Sequence, residues 1–308
     1  AQGFGGIQAS KAAIIGGVEA TSNVYSSFIH VTTASGTMAH SWIQSFEDEL
    51  TAFREYAKYY PDDCILLVDT YDTLASGVPN AITVAKELEE EGHRLKGIRL
   101  DSGDLAYFAR KARNQLDRAG LGYVKIAASN QLDERLIMSL LGQEAPIDLF
   151  GVGTRLVTGH ESPALDGVYK LTAVNDEPKL KISENVEKIT LPGIKKMVRY
   201  IDEAGKFYGD GIQLKDESGV DTIYHPYYPA KHTTIKDYQA ESLLHEVFKD
   251  GERTIEIPAP LDSAGYAKSR LEKLNPEHKR FDNPHIYIVG ISKKLMDLRD
   301  ELTQSLNQ

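Results

Sequence analysis

An apolar run that ends in a cluster of polar residues constrains this chain more than any other feature. The stretch LKGIRLDSGD, residues 95–104, passes from apolar residues to Asp101, Ser102 and Asp104, and an amphipathic segment follows at once. This spacing predicts a buried strand, a short turn and a helix that Asp104 caps. Arg99 and Asp101 then lie at the carboxyl end of a strand, where parallel α/β proteins gather their functional groups.

The same change from apolar to polar residues recurs along the first half of the chain. Five segments read as strands, and helical patterns separate them with short connections. Their polar ends are Ser35–Gly36, Asp69–Thr70, Asp101–Ser102, Ser129–Asn130 and Gly151–Gly153. Such alternation is typical of a parallel sheet, and strand ends of this kind converge on one face of a β/α barrel. We therefore expect one shared site, although any single polar end is also an ordinary turn signal.

Hydrophobic spacing also predicts the remaining elements. In the first half it favours a short strand near 30–34 and helices over 40–60, 79–91, 104–119 and 131–141. After about residue 155 the chain changes to alternating segments joined by NDE and DEAG turns, which predict antiparallel hairpins. Helical patterns return at 263–274 and 292–306. The fold class is therefore α/β.

Composition limits the classes of partner. Lysine and arginine number 35 against 45 aspartates and glutamates, a formal net charge of -10, which argues against nonspecific binding to nucleic acid or anionic membrane. The single cysteine, Cys64, lies in the apolar run CILLV and is expected to be a core thiol. No apolar run approaches the ~20 residues that span a bilayer, and no signal peptide is visible. We expect a cytoplasmic protein with no nucleic-acid or membrane partner.

The motif GTMAHSW, residues 36–42, contains a candidate nucleophile. Gly36 lets the backbone approach a ligand closely, and Thr37 is placed to cap a helix whose first turn contains His40. The positive end of a helix favours the neutral imidazole, which can act as a nucleophile. The same helix end would stabilise a captured phosphoryl group. The alternative is a helix-start histidine bonded to a backbone carbonyl.

The motif FGVGTRLVTG, residues 150–159, is a candidate phosphate cradle. Gly151 and Gly153 follow a buried strand, with Thr154, Arg155 and Thr158 as further donors. Neither the Walker spacing nor the dinucleotide GxGxxG is present, so a plain turn remains the alternative.

Two carboxylates, Asp69 and Asp101, follow neighbouring strands. Such a pair can hold ribose hydroxyls or a hydrated Mg²⁺, and it can equally form a structural ion pair with Arg99. The chain has neither a His/Cys cluster with zinc spacing nor a GxSxG nucleophile elbow, so we expect no protein-bound metal cluster.

A series of motifs occurs along the chain in a fixed order. They are AQGFGGIQAS, ATSNV, SGTMAHSWIQSF, LLVDTYDTLASGVPNAI, GIRLDSGDL, ASNQLDE, FGVGTRLVT, GVYKLTAV and KISENVEKITLPGIKKMVR. This order resembles that of the nicotinate phosphoribosyltransferase family from residue 1 to about residue 215, with looser similarity beyond. Each motif alone is weak, whereas the ordered set is specific.

The resemblance implies the type II phosphoribosyltransferase fold, an irregular parallel β/α barrel. We accordingly expect a barrel over 1–195, and a hairpin and helical region over 196–308 that packs on the barrel and on a further N-terminal domain. The implied reaction joins nicotinate to phosphoribosyl pyrophosphate and releases nicotinate mononucleotide and pyrophosphate. The resemblance also implies coupling to ATP hydrolysis through a phosphohistidine, Mg²⁺ as cofactor, ATP as co-substrate, a homodimer and a place in NAD salvage.

Residue roles follow from the same resemblance. His40 corresponds to the phosphorylated histidine, and Arg99 with Asp101 corresponds to the ribose and pyrophosphate contacts. Gly151, Gly153 and Thr154 correspond to the cradle of the 5′-phosphate. The other residues implied to border the substrates are Ser22 and Asn23 (beside nicotinate), Gly36, Thr37, Ser41, Ser102, Ser129 and Asn130.

The chain departs from the family pattern at its start. Family members carry a long segment before AQG, which includes an aromatic residue and paired arginines that hold nicotinate. We expect that segment on another chain or in the intact protein, paired with this one. The alternatives are a quinolinate or nicotinamide phosphoribosyltransferase, and a non-catalytic fragment that acts as an assembly partner.

Overall fold

The computed structural model describes residues 3–185 and 188–306. The start of AQGFGGIQAS and the centre of KISENVEKIT lie outside these ranges. The chain forms two compact units, one ending at Leu165 and the next beginning at Asp166. The first unit contains a parallel sheet and the second a largely antiparallel one, as the sequence predicted.

The described strands of the first unit form a four-stranded parallel sheet in the order β1-β2-β3-β4. Its strands are β1 (Ile65–Leu67), β2 (Gly97–Leu100), β3 (Lys125–Ser129) and β4 (Leu149–Gly151). The register pairs Leu67 with Arg99 and Ser129 with Gly151, so the carboxyl ends of neighbouring strands are level. The polar residues that follow these strands therefore meet at one edge of the sheet.

Helices connect these strands and cover the sheet. They are α1 (Gly3–Ile15), α2 (Val24–His30), α3 (His40–Gln44), α4 (Glu49–Tyr59), α5 (Val78–Glu90), α6 (Leu105–Arg118), α7 (Glu134–Gly142) and α8 (Thr154–Thr158). Asp104 Oδ1 accepts a hydrogen bond of 3.0 Å from the backbone N–H of Tyr107, which confirms the predicted cap of α6.

The core of the first unit lies between this sheet and its helices. Leu66, Ile98 and Ile126, one from each of three neighbouring strands, are fully buried. Cys64 is buried in the same cluster, and burial raises the pKa of its thiol to about 12. The thiol is therefore a packing group, as the apolar run around it predicted.

Two local predictions differ from the structure. The helix predicted over 40–60 is two helices, because Asp48 accepts the backbone N–H of Thr51 and starts α4 anew. The strand predicted near 30–34 is an isolated bridge between Thr21 and Ala34.

The second unit contains a six-stranded sheet in the order β10-β9-β14-β8-β7-β11. Its described elements are β5 (Ala173–Val174), β6 (Glu177–Pro178), β7 (Lys195–Ile201), β8 (Phe207–Leu214), β9 (Thr222–Tyr224), β10 (His232–Thr234), β11 (Gln239–Ser242), β12 (Phe248–Lys249), β13 (Glu252–Arg253), α9 (Pro260–Lys273), β14 (Ile288–Ile291) and α10 (Lys293–Leu306). Within the described ranges, no helix combines the length and apolar composition needed to cross a bilayer.

The boundary between the units falls thirty residues before the expected one at 195. The segment after Leu165 belongs to the second unit because its side chains pack there. Leu191 lies against the cluster of Ile291, Leu295 and Met296, which β14 and α10 supply.

A largely buried ion pair joins two strands of the second unit. Arg199 Nε and Nη2 donate to the two oxygens of Asp210 at 2.8 Å each, and Tyr287 Oη donates to the same carboxylate at 3.0 Å. The hydrogen bonds with Asp210 raise the pKa of Arg199. Burial and the neighbouring Asp210 raise the pKa of Tyr287.

We expect Asp210→Ala to lower the free energy of unfolding by about 3–5 kcal/mol, because it leaves the guanidinium of Arg199 without its counter-ion. Urea unfolding followed by circular dichroism measures the loss. Asp216→Ala, an exposed aspartate just after β8, is the matched control and should change stability by less than about 0.5 kcal/mol. Equal losses in the two variants would contradict a structural role for the ion pair.

Candidate active site

Arg99 joins three of the motifs that the sequence singled out. Its Nε donates to Ser129 Oγ at 2.8 Å, and its Nη2 donates to Asp101 Oδ1 at 2.7 Å. Its Nη1 donates to Thr37 Oγ1 at 2.8 Å. The ends of β2 and β3 and the GTMAHSW motif therefore form one cluster, as the polar strand ends predicted.

Asp101 is the acidic centre of this cluster. Ser129 Oγ donates a second hydrogen bond to its Oδ1. Burial by itself would raise the pKa of Asp101, but the hydrogen bonds from Ser129 and Arg99 and the positive charge of Arg99 hold that pKa below its ordinary value. Asp101 is therefore an ionised carboxylate at neutral pH, placed to accept hydroxyl donors or to stabilise positive charge.

Asp69 holds the turn that carries Asp101. Its Oδ2 accepts the backbone N–H of Asp101 and the hydroxyl of Ser102, both at 2.7 Å. Gly103 closes the turn with φ of +71°, and a Cβ there would lie 2.6 Å from the ring of Phe108. The turn requires glycine for both reasons, and Ser102 contributes to its rigidity.

His40 stands beside this acid. Its Nε2 lies 3.7 Å from Asp101 Oδ2, its Nδ1 lies 3.0 Å from Thr70 Oγ1, and its side chain is 40% exposed. A carboxylate beside Nε2 favours a proton on that nitrogen, which leaves the lone pair on Nδ1 and makes Thr70 the donor. The described partners of His40 are side chains, whereas the structural alternative considered from the sequence was a hydrogen bond to a backbone carbonyl.

Thr37 does not cap α3, which the sequence had predicted. The N-cap of α3 is Ala39, without a side-chain cap, because the helix begins only at His40. Thr37 Oγ1 instead accepts from Arg99 and donates to the carbonyl of Met38. Thr70 is the partner of His40 that sequence reasoning missed, although its position in the polar end of β1 was a usable signal.

The backbone beyond Ser129 has an uncommon conformation. Asn130 and Gln131 have φ of +82° and +50°, the left-handed region that non-glycine residues rarely occupy. Such residues cluster at functional sites. Gly151 pairs with Ser129, and a Cβ at Gly151 would lie 3.3 Å from the Cβ of Ser129. Glycine therefore lets β4 approach the cluster closely.

Gly153 and Thr154 form the start of α8. Gly153 is the N-cap residue, and a Cβ there would meet open space, as it would at Gly36. Packing therefore does not explain these two glycines, whereas close approach of a ligand does. The first N–H groups of a helix lack partners inside the helix and suit an anion.

Two further donors predicted for this cradle are engaged within the protein. Arg155 donates to Asp133, the residue that caps α7. Thr158 Oγ1 donates to the carbonyl of Thr154 at 2.7 Å. The donors left for the candidate cradle are therefore backbone groups and the Thr154 hydroxyl.

The remaining candidate residues lie around this cluster. Asn23 Oδ1 accepts the N–H of Ser26 at 3.0 Å and so caps α2, while Ser22 and Ser41 are exposed. Backbone bonds place Thr21 beside residues 33–35, which lead into Gly36. In the described part of the chain, no hydrogen bond joins Ser22 or Asn23 to the Arg99 cluster.

The donor set suits a Mg²⁺ ion that arrives with a phosphorylated substrate. Within residues 3–185 and 188–306, no group of three or more His, Cys, Asp and Glu residues could hold a metal by itself. Asp69 Oδ1 is nevertheless a buried carboxylate oxygen with no described partner, and Asp101 is close by. Mg²⁺ commonly binds through one or two carboxylates together with substrate phosphates.

We expect Arg99→Met to raise the pKa of Asp101, because burial then acts without the guanidinium. In the wild type the lowered pKa of Asp101 increases the free energy of unfolding above about pH 4. This contribution is lost as the pH falls through the pKa that Asp101 has in the folded protein. Carboxyl ¹³C NMR titration measures the shift. Arg118→Met, at the exposed end of α6, is the control, and an unmoved Asp101 pKa in Arg99→Met would contradict the assigned cause.

Solved structures share this architecture. The crystal structure of human nicotinic acid phosphoribosyltransferase matches with a TM-score of 0.84 at 29% identity, covering 98% of this chain and 68% of that chain. A nicotinate-nucleotide pyrophosphorylase structure from Pyrococcus furiosus matches with a TM-score of 0.65 at 24% identity, covering 85% of this chain and 61% of that chain. The fold and the polar edge of its parallel sheet define a protein of the type II phosphoribosyltransferase class.

Sequence relatives narrow this class. The family model of the nicotinate phosphoribosyltransferase C-terminal domain matches residues 194–299. The nicotinate phosphoribosyltransferase of Bacillus subtilis is 44% identical over an alignment of 295 positions, which covers 92% of this chain and 59% of the relative. The human enzyme is 30% identical over an alignment of 355 positions, which covers 97% of this chain and 66% of the human enzyme. The chain belongs to the nicotinate phosphoribosyltransferase family, and it spans about three fifths of the Bacillus subtilis relative.

Proposed function

We propose that this chain carries the phosphoribosyl-transfer site of a nicotinate phosphoribosyltransferase. Nicotinate and phosphoribosyl pyrophosphate would give nicotinate mononucleotide and pyrophosphate, a reaction that feeds NAD synthesis. The observation that carries the proposal is the cluster in which Asp101, bound by Arg99 and Ser129, faces His40 at 3.7 Å.

In the transfer step the pyridine nitrogen attacks C1 of the ribose, and the bond from C1 to the pyrophosphate oxygen breaks. Positive charge develops on the ribose ring, and Asp101 supplies an ionised carboxylate to stabilise it and to accept ribose hydroxyls. The turn held by Asp69 keeps that carboxylate in place before the substrate arrives. Bound with the pyrophosphate at Asp69 and Asp101, Mg²⁺ would neutralise charge on the leaving group.

The 5′-phosphate of the sugar would occupy the start of α8. The backbone N–H groups after Gly153 and the hydroxyl of Thr154 are its donors. Gly151 lets β4 lie close to Ser129, which supports a site that one phosphorylated ribose spans from the cradle to Asp101. Gly36 allows the same close approach beside Thr37.

ATP coupling would use His40 as the nucleophile. The Thr70 hydroxyl turns its proton away from Nδ1, whose lone pair then attacks the γ-phosphorus. A nitrogen–phosphorus bond forms, and the bond to the ADP oxygen breaks. The ring becomes positively charged while Nε2 keeps its proton, and the carboxylate of Asp101 stabilises that charge. Water then removes the phosphoryl group as inorganic phosphate.

The alternative phosphoribosyltransferase functions would use part of the same site. Quinolinate or nicotinamide would use the same sugar and phosphate contacts, and the site alone does not distinguish the base. A homodimer, or pairing with the N-terminal segment of the family pattern, forms part of the same proposal. A non-catalytic assembly partner is the alternative of a different class.

The test is a product assay on the intact protein with phosphoribosyl pyrophosphate, ATP and one base at a time. Liquid chromatography follows the mononucleotide and ADP with nicotinate, nicotinamide or quinolinate. We expect nicotinate mononucleotide with stoichiometric ADP. A mononucleotide from another base alone would favour that transferase, and no product from any base would favour the assembly partner.

A further inference from the structure

A buried glutamate lies outside the proposed site. Glu49, the first residue of α4, is only 4% exposed. Its Oε2 accepts from Ser76 Oγ at 2.6 Å and from Asn80 Nδ2 at 3.0 Å. Its Oε1 is buried with no described partner. Burying such a group is costly, and neither the core nor the transfer step accounts for it.

The partners of Glu49 belong to an unusual turn. Ser76 lies in the π-helical turn Thr73–Gly77, and Asn80 follows on α5. Turns of this kind are rare and occur frequently at functional sites. The turn is packed tightly onto the end of β1, because a Cβ on Gly77 would lie 1.8 Å from the carbonyl oxygen of Val68. Movement of the turn would therefore move the residues that follow β1.

The same two chain segments meet at two places. One segment carries His40 on α3 and then Glu49 on α4, and the other carries Thr70 after β1 and then Ser76 in the π-helical turn. His40 contacts Thr70, and Glu49 contacts Ser76. The contact between Glu49 and Ser76 thus fixes the two segments at one place, and the contact between His40 and Thr70 at the other place orients the imidazole.

We propose that Glu49 is a positioning residue for His40, acting through the π-helical turn and Thr70. The predicted change in rate rests on the proposed phosphohistidine role of His40, whereas the orientation of its ring can be measured without that role. Glu49 accepts a hydrogen bond from Ser76, the turn packs against Val68, two residues before Thr70, and the Thr70 hydroxyl lies 3.0 Å from Nδ1 of His40.

The first test measures the rate at which ATP phosphorylates His40. Glu49→Ala is expected to slow it about tenfold or more with little change in the KM for ATP, because the ring is misoriented while the nucleotide contacts remain. Glu49→Gln keeps an acceptor for Ser76 and Asn80 and should retain most of the rate. Glu47→Ala, an exposed glutamate two residues earlier, should match the wild type.

A double-mutant cycle tests the route through Thr70. Thr70→Val is expected to slow phosphorylation to a similar extent, and the double variant should be no slower than Thr70→Val alone. Losses that multiply in the double variant would overturn the proposed route. If Glu49→Ala folds poorly, the cycle is repeated with Ser76→Ala, which removes only one of the two donors to Glu49.

The second readout is the tautomer of His40, measured from the ¹⁵N shifts of its ring in the absence of ATP. We expect one tautomer in the wild type and a mixture in Glu49→Ala and Thr70→Val. An unchanged tautomer in both variants would overturn the positioning role even if turnover fell. A shifted tautomer in a protein that never phosphorylates His40 would instead contradict the proposed function and leave the positioning role intact.

Discussion

Replacing His40 by alanine is expected to abolish ATP-dependent phosphorylation of the protein, with a loss of about 10³-fold or more, while slow ATP-independent transfer persists. Among the described residues, His40 lies both beside Asp101 and against Thr70, and the proposal gives it no contact with the ribose or the 5′-phosphate. Radiolabelled γ-phosphate on the protein and ADP release measure the first activity, and nicotinate mononucleotide formed without ATP measures the second.

The control for this variant is His93→Ala. His93 is a histidine of the same unit whose Nδ1 lies 2.8 Å from Asp62, and the proposal gives it no part in catalysis. Its removal should leave both activities unchanged. Coupled ATP hydrolysis that survives in His40→Ala would place the nucleophile on another residue.

Replacing Asp101 by alanine is expected to lower kcat/KM for phosphoribosyl pyrophosphate by about 10²–10³-fold. The variant removes the carboxylate proposed to bind the ribose, and it leaves Arg99 and Ser129 without their shared acceptor. Both KM and kcat should therefore worsen. Initial rates over a range of substrate concentrations, together with calorimetric titration of phosphoribosyl pyrophosphate, measure the two contributions.

Asp104→Ala separates loss of the site from loss of stability. Asp104 lies three residues further along and caps α6 with a 3.0 Å bond to the N–H of Tyr107. Its removal should cost about 1 kcal/mol of stability and leave the KM for phosphoribosyl pyrophosphate unchanged. Unchanged KM and kcat in Asp101→Ala would remove that residue from the site.

The parallel sheet and its polar edge were predictable because their signals are local. The run LKGIRLDSGD contains its own strand, turn and cap, and the cap at Asp104 is formed as its position predicts. The same pattern repeats at Asp69 and Ser129, so the meeting of Arg99, Asp101 and Ser129 follows from parallel register alone.

The parts that sequence reasoning missed depend on contacts between distant segments. Thr37 has the residue type and spacing of a helix cap, but the guanidinium of Arg99 takes its hydroxyl. Thr70 and Glu49 are ordinary polar residues in sequence, and their roles arise only when α3, α4 and the π-helical turn pack together. Arg155 suited a phosphate by type, whereas the cap of α7 engages it.

The most direct test of the account is a crystal structure of the intact protein with phosphoribosyl pyrophosphate. We expect the 5′-phosphate at Gly151–Thr154, the ribose hydroxyls against Asp101, and His40 beside the pyrophosphate. Density for the substrate at another surface, with the edge formed by Asp101, Ser129 and Gly153 left empty, would contradict the claim that these strand ends form one site.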